Sequence, residues 1–159
     1  MKITILTVGK IKEKYFTGAI AEYAKRLSRY CKLEMIEVAD EKTPEKSSEH
    51  EEELIRQKEG QRLLKHIKEG AHVIALAIDG KQYSSEQFAD KIHTLGIRGE
   101  SHLQFIIGGS IGLSQEVLSR ADEKISFSAM TFPHQLMRVI LLEQIYRGFR
   151  IIHGEPYHK

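Results

Sequence analysis

Three stretches near the C-terminus carry residue types that can do chemistry. The tail Glu155-Pro156-Tyr157-His158-Lys159 offers a phenol, an ammonium and an imidazole that exchanges protons near neutral pH. An isolated tail of this kind also reads as a frayed terminus. The turn Gly108-Gly109-Ser110-Ile111-Gly112 would let backbone approach a ligand closely. It lacks the G-x-G-x-x-G order of a dinucleotide fingerprint and follows the fourth strand instead of the first, so it also reads as a plain turn. The third stretch, Phe127 to Phe132, could present backbone N–H and C=O groups around Ser128 to Thr131 to an adenine edge. Leu76, Ile107 and Met130 could then sandwich the rings. His134 and His153 read as satisfied structural histidines, one at each end of a helix. Cys31 reads as a small buried apolar residue. No metal-ligand spacing is visible among the eight histidines and the single cysteine.

These stretches need elements to position them. Apolar runs at Lys2 to Val8, Leu33 to Val38, His72 to Ile78, Leu103 to Ile107 and Ile125 to Ser128 predict five strands. The run from His72 is nearly continuously apolar, as in a strand buried on both faces of a parallel sheet. Helical spacing predicts a helix from about Tyr15 to Tyr30. A second should run from near Glu49, where acids suit the positive helix end, towards a stop at Gly70. A third should start at the capping box Ser84-Ser85-Glu86-Gln87 and end at Gly96. Ser114 should cap a short helix to Ala121, and a long helix follows Pro133. Asp79-Gly80 reads as a turn and Ala39 to His50 as a loop. The alternation implies one α/β domain over 1–159, with a mostly parallel sheet and helices on both faces. Ligands of such sheets bind beyond the carboxyl ends of the strands. The segments Leu76 to Gly80, Gly108 to Gly112 and Phe127 to Phe132 would line one site if their strands are neighbours.

The last helix has two apolar stripes. Met137, Leu141, Ile145, Phe149 and Ile152 form one, and Val139, Leu142 and Tyr146 form another. One stripe suffices to pack a helix on a core, so the second predicts contact with another copy of the chain.

Composition narrows the function classes. The 159 residues suffice for one core, and 41% hydrophobic with 29% charged is the profile of a globular domain. A single cysteine cannot form an intrachain disulfide, which fits a reducing compartment such as the cytoplasm. No apolar run approaches the ~20 residues of a membrane span, and the N-terminus reads as a strand and not a signal peptide. The net charge of +2 is unevenly placed. Lys10, Lys12, Lys14, Lys25, Arg26, Arg29 and Lys32 face only Glu13 and Glu22 over the first stretch. Such a surface can hold phosphates, or it is a solvated helix face.

The whole chain resembles the ribosomal RNA large-subunit methyltransferase H family of the SPOUT class. The residues that carry the resemblance are FIIGGSIGLS and ISFSAMTFPHQLMRVILLEQIYRGFRIIHGEPYHK, with ITILTVGKIKEKYF and IDGKQYSSEQFA in support. The resemblance implies an α/β fold whose C-terminal part forms a trefoil knot, a rare topology. It implies a homodimer and S-adenosylmethionine as cofactor. The implied reaction is methylation of N3 of a pseudouridine in 23S ribosomal RNA of the assembled ribosome. It places cofactor contacts at Leu76, Gly108, Phe127, Ser128, Ala129, Met130, Thr131 and Phe132. Tyr157, His158 and Lys159 would complete the active site across the dimer interface. His158 or water would be the base, and Tyr157 or Lys159 would stabilise charge on the ring carbonyls. The competing readings are a methyltransferase of another RNA such as tRNA, and a ribosome-associated RNA-binding protein without catalysis.

Overall fold

A computed structural model describes residues Met1–Lys159. Five strands, β1 (Lys2–Val8), β2 (Lys32–Val38), β3 (His72–Gln82), β4 (His102–Ile107) and β5 (Glu123–Ser126), form one sheet in the order β2-β1-β4-β3-β5. Every pairing is parallel, as the apolar runs imply. Between the strands lie α1 (Lys14–Leu27), α2 (Glu49–Leu64), α3 (Ser85–Ile97) and α4 (Gln115–Arg120), and α5 (His134–Ile152) ends the order. Helices α1, α3 and α5 pack together on one face of the sheet, with Ile3, Ile5, Phe105, Leu141 and Ile145 in the core beneath them. Helices α2 and α4 cover the other face over Leu6, Val8, Val73 and Ile106. The chain therefore has the parallel sheet with helices on both faces that its alternation implies. No helix is long and apolar enough to cross a membrane.

Local rules explain most element ends. Ser48 and Ser84 each form a reciprocal capping box, with Glu51 and Gln87. Helix α3 runs through Gly96 and stops only after Ile97. The left-handed residue that closes it is Gly99, at φ 88°, with Glu100 N–H donating to the Leu95 carbonyl at 2.9 Å. Helix α1 stops at Leu27, three residues before the expected end, and α2 stops at Leu64, well before Gly70.

Strand β3 differs more. Asp79-Gly80 does not end it; the strand continues to Gln82. Leu76 and Lys81 both stand opposite Ile125, so residues 77–80 bulge out between two pairings with the same β5 residue. A Cβ on Gly80 would lie 2.7 Å from the Ile125 carbonyl carbon, so only glycine permits this approach. Strand β5 is shifted too: it covers Glu123–Ser126, leaving Phe127 and Ser128 in the loop that follows.

The second stripe of α5 is not left for a partner. Leu142 is 0% exposed and Tyr146 is 9% exposed within the single chain. Helix α5 lies between α1 and α3 above the sheet, so it needs apolar residues on two flanks. Tyr146 meets Tyr23 at 6.4 Å and Tyr30 at 6.2 Å between ring centroids. Val139 is only half-buried, beside the half-buried Leu136 and Ile140.

Two buried charged side chains tie the helices to strand ends. Arg138 of α5 is 1% exposed. It donates to the Val8 carbonyl at 2.9 Å, the Gly9 carbonyl at 2.8 Å and the Glu37 carboxylate at 2.6 Å. Glu59 of α2 is 4% exposed. It accepts the Glu41 N–H at 2.9 Å through one oxygen, and the other has no partner. Burial pushes the Glu59 carboxyl above the ordinary range, and the Glu41 N–H only partly opposes this.

Arg138→Ala removes the donor of two backbone carbonyls, at about 1–3 kcal/mol each. Urea unfolding should therefore show a loss on the order of 3 kcal/mol. A loss below ~1 kcal/mol would mean that water replaces the guanidinium. For Glu59 the raised value works against the folded state as pH rises. Above the ordinary carboxyl range the unfolded chain has released a proton that the folded chain still holds, or has lost only at a cost. Glu59→Gln should raise the melting temperature at pH 7.5 by about 2–4 °C, corresponding to ~1 kcal/mol. The gain should vanish below about pH 4, where the acid is protonated in both states.

Candidate active site

Strands β4, β3 and β5 are neighbours, so the bulged middle of β3 and the segments that follow β4 and β5 meet. They enclose a cleft of about 830 Å³, lined by residues 76–78, 107–113, 125–128 and 130–135 together with Leu118 and Met137. A cleft of that size with apolar walls and a few backbone polar groups suits a small organic ligand. Leu76, Gly108, Phe127, Ser128, Met130, Thr131 and Phe132 all line it, whereas Ala129 does not. Met130 is 74% exposed and stands at the mouth.

The loop after β5 is held by its own hydroxyls. Ser126 donates to the Ser128 carbonyl at 3.0 Å, and Ser128 accepts the Met130 N–H at 2.9 Å. These short side-chain bonds fix the backbone without a helix or ladder.

The glycine turn has a different reason from the one its sequence suggests. A Cβ on Gly108 would lie 2.8 Å from the Gly112 carbonyl carbon and 2.9 Å from its oxygen. Gly108 is thus required by the turn folding back on itself, and not first by a ligand. Gly112 closes the turn at φ 86°, donating to the Gly109 carbonyl at 3.1 Å. From behind, a Cβ on Gly109 would lie 3.2 Å from the Glu59 carboxylate. Arg56 donates to the Ile111 carbonyl at 3.3 Å. Helix α2 is therefore the back wall of the turn.

Neither Glu59 nor Arg138 was singled out by residue type. Both carry a positional signal: Glu59 lies four residues from Ile55 and from Leu63, and Arg138 lies three before Leu141, each on a buried face. The cleft also includes His134, Gln135 and Met137 from the start of α5. His134 makes no hydrogen bond that would mark it as a satisfied structural histidine. Burial and then the Arg138 charge push its pKa down, and Asp40 partly opposes them.

The tail lies elsewhere. Tyr157, His158 and Lys159 do not line the cleft of their own chain. Tyr157 donates to Glu143 at 3.1 Å, and burial followed by this bond pushes its phenol up to about 12. Arg147 stands 3.1 Å from His158 Nδ1 and Glu86 stands 2.7 Å from Nε2. An arginine can only donate, so Nδ1 accepts and Nε2–H donates to Glu86. Both ring nitrogens are engaged, and Lys159 is exposed. His153 lies outside the cleft against Tyr30, at 5.3 Å between ring centroids. Cys31 is buried, its thiol pushed up to about 11 by burial, as an inert core residue should be.

Comparison with known proteins places this architecture. The family described as "Predicted SPOUT methyltransferase" matches residues 1–158. A protein of Bifidobacterium adolescentis named "Ribosomal RNA large subunit methyltransferase H" is 66% identical over 159 residues, covering 100% of both chains. Proteins of the same name from Clostridium beijerinckii and Alkaliphilus oremlandii are 63% and 62% identical, again over 100% of both chains. Among solved structures, "The structure of a probable methylase family protein from Haemophilus influenzae Rd KW20" superposes with a TM-score of 0.56 at 12% identity. It covers 99% of this chain and 70% of that one, a likeness of fold alone. A glycine turn, a serine-locked loop and a cleft at the carboxyl edge of a parallel sheet thus sit in a chain matched from end to end, and the chain belongs to the SPOUT methyltransferases, among relatives named ribosomal RNA large subunit methyltransferase H.

Proposed function

We propose that the chain, as one methyltransferase domain over 1–159, transfers a methyl group from S-adenosylmethionine to N3 of a pseudouridine in 23S ribosomal RNA of the assembled ribosome. The observation that carries this reading is the cleft built from the ends of β3, β4 and β5 in a chain 66% identical, end to end, to a protein named for this class of reaction. The residues fit the cofactor. Leu76 and Ile107 give apolar walls for a flat ring, and the 127–132 loop gives backbone polar groups for its edge. When bound there, the cofactor supplies an activated methyl group. The protein's task is then to align donor and acceptor and to handle one proton. The C-terminal part, including the doubled β3–β5 pairing, is read as the knotted region of the class.

The acceptor side is an RNA surface. Exposed Lys10, Lys12 and Lys14 follow the carboxyl end of β1, on the same edge of the sheet as the cleft. Their charge suits phosphates, so binding should weaken with salt. The tail is read as completing a partner's cleft, where Tyr157 and Lys159 stabilise negative charge on the ring carbonyls and His158 positions the base. That reading needs a homodimer. With Leu142 and Tyr146 in the chain's own core, the partner face moves to the half-buried Leu136, Val139 and Ile140 of α5. A ribosomal substrate and a lone buried cysteine support a location in the cytoplasm.

Transfer of labelled methyl to whole ribosomes, separated subunits, free ribosomal RNA and tRNA tests the reading. Label should enter ribosomes and map to one pseudouridine; label in tRNA alone, or in nothing, would overturn it. Deleting Tyr157 to Lys159 should leave cofactor affinity within about threefold while transfer falls by ~10²-fold or more. Ile140→Glu should yield a folded monomer by light scattering and circular dichroism. Leu142→Glu should instead unfold the chain, because its charge would be buried in the core of one subunit.

A further inference from the structure

We infer that His134, at the first turn of α5, is the group that takes the N3 proton of the acceptor base. The inference rests on the methyl transfer to an imide nitrogen proposed above. An imide nitrogen is mostly protonated at neutral pH, so transfer needs a proton acceptor at the cleft. The N3–H bond breaks, its electron pair forms the new N–CH₃ bond, and the proton passes to an imidazole nitrogen of His134 and then to water. The methyl group's former bonding pair stays on the donor's sulfur.

The other titratable groups fail on geometry. His158 has both ring nitrogens engaged, by Arg147 and Glu86. Tyr157 spends its proton on Glu143. Glu59 is sealed behind the glycine turn by Gly109. His153 lies against Tyr30, away from the cleft. His134 differs in each respect. It lines the cleft, it is half-buried, and neither ring nitrogen is spent on a hydrogen bond within the chain.

Its surroundings suit the task. The point where a Gly9 side chain would begin lies 3.9 Å from His134 Nε2 and 3.9 Å from the Asp40 carboxyl carbon. Gly9, at φ 88°, thus marks where the imidazole comes near the Asp40 carboxylate on the loop after β2, and Arg138 lies one turn further along the same helix. Arg138 and burial keep the ring neutral and able to accept a proton at pH 7, while Asp40 offsets the charge that develops when it does. Gly9 leads directly into exposed Lys10, so an RNA phosphate held there would bring its base towards this side of the cleft.

The test is single-turnover methyl transfer to ribosomes between pH 5 and 9, with the cofactor-loaded protein and its His134→Ala, His134→Gln and His158→Ala variants. The wild-type rate should rise with pH along an acid limb whose midpoint lies below the ordinary histidine value of about 6.5. Both His134 variants should lose that limb and fall by ~10²-fold or more at pH 7. Their cofactor affinity by calorimetry should stay within about threefold. His158→Ala should keep the limb. In the loaded protein, the histidine proton resonance missing from His134→Gln should titrate with the same midpoint as the rate. A limb that survives in His134→Ala, a loss confined to cofactor affinity, or a His134 resonance that titrates away from the kinetic midpoint would overturn the assignment. If wild-type protein transfers no methyl group to ribosomes, the proposed function itself fails, and this assignment with it.

Discussion

One buried guanidinium sets the relation between the last helix and the first strand. Arg138 caps the carbonyls of Val8 and Gly9 and pairs with Glu37, whose carboxylate also accepts the Ile11 N–H at 3.3 Å. The carboxyl end of β1 would otherwise carry unpaired carbonyls into a dry interior, which is costly. A charge taken from water is tolerated only with several partners, and here three lie within hydrogen-bond distance. The same contact fixes the rotation and height of α5, and therefore where the first turn of that helix meets the cleft. The cleft wall from α5 and the end of β1 are thus one mechanical unit.

The opposite wall is set by packing of small residues. Gly60 of α2 faces Ser114, Gly109 faces Glu59, and Gly108 faces the carbonyl of Gly112. Each glycine here removes a side chain that two segments would contest. The turn is held by Arg56, which donates to the Ile111 carbonyl, and by its own return bond from Gly112 to Gly109. A preformed turn costs a ligand little ordering on binding.

The five strands, the helix count and the parallel sheet were legible because buried parallel strands read as apolar runs and capped helices carry local signals. So was the meeting of three segments at one edge, once the strand order made them neighbours. What escaped was non-local. Asp79-Gly80 has turn chemistry, yet the strand continues because Gly80 packs on the backbone of Ile125, far along the chain. Leu142 and Tyr146 suggested an exposed stripe because nothing in α5 shows that α1 flanks it. Glu59 and Arg138 went unremarked because a side chain's charge does not reveal which face it lies on. His134 resembled a helix-end histidine until its lack of partners was visible. The residue types at 127–132 and in the tail suggested a ligand loop and proton-handling groups, and the resemblance added the cofactor's identity and the tail's place across a dimer interface.

The doubled pairing of Ile125 bears on the order of assembly. Residues 77–80 bulge beside a β5 residue that lies more than forty positions later in the chain, and the strand then resumes opposite that same residue. Lys81 and Gln82 therefore find their strand partners only in β5, at Ile125 and Ser126. Such closure joins distant segments and forfeits loop entropy before its contacts repay it. The edge that bounds the cleft is thereby the one with a large loop-closure cost, and opening of β5 would release two stretches of β3 together.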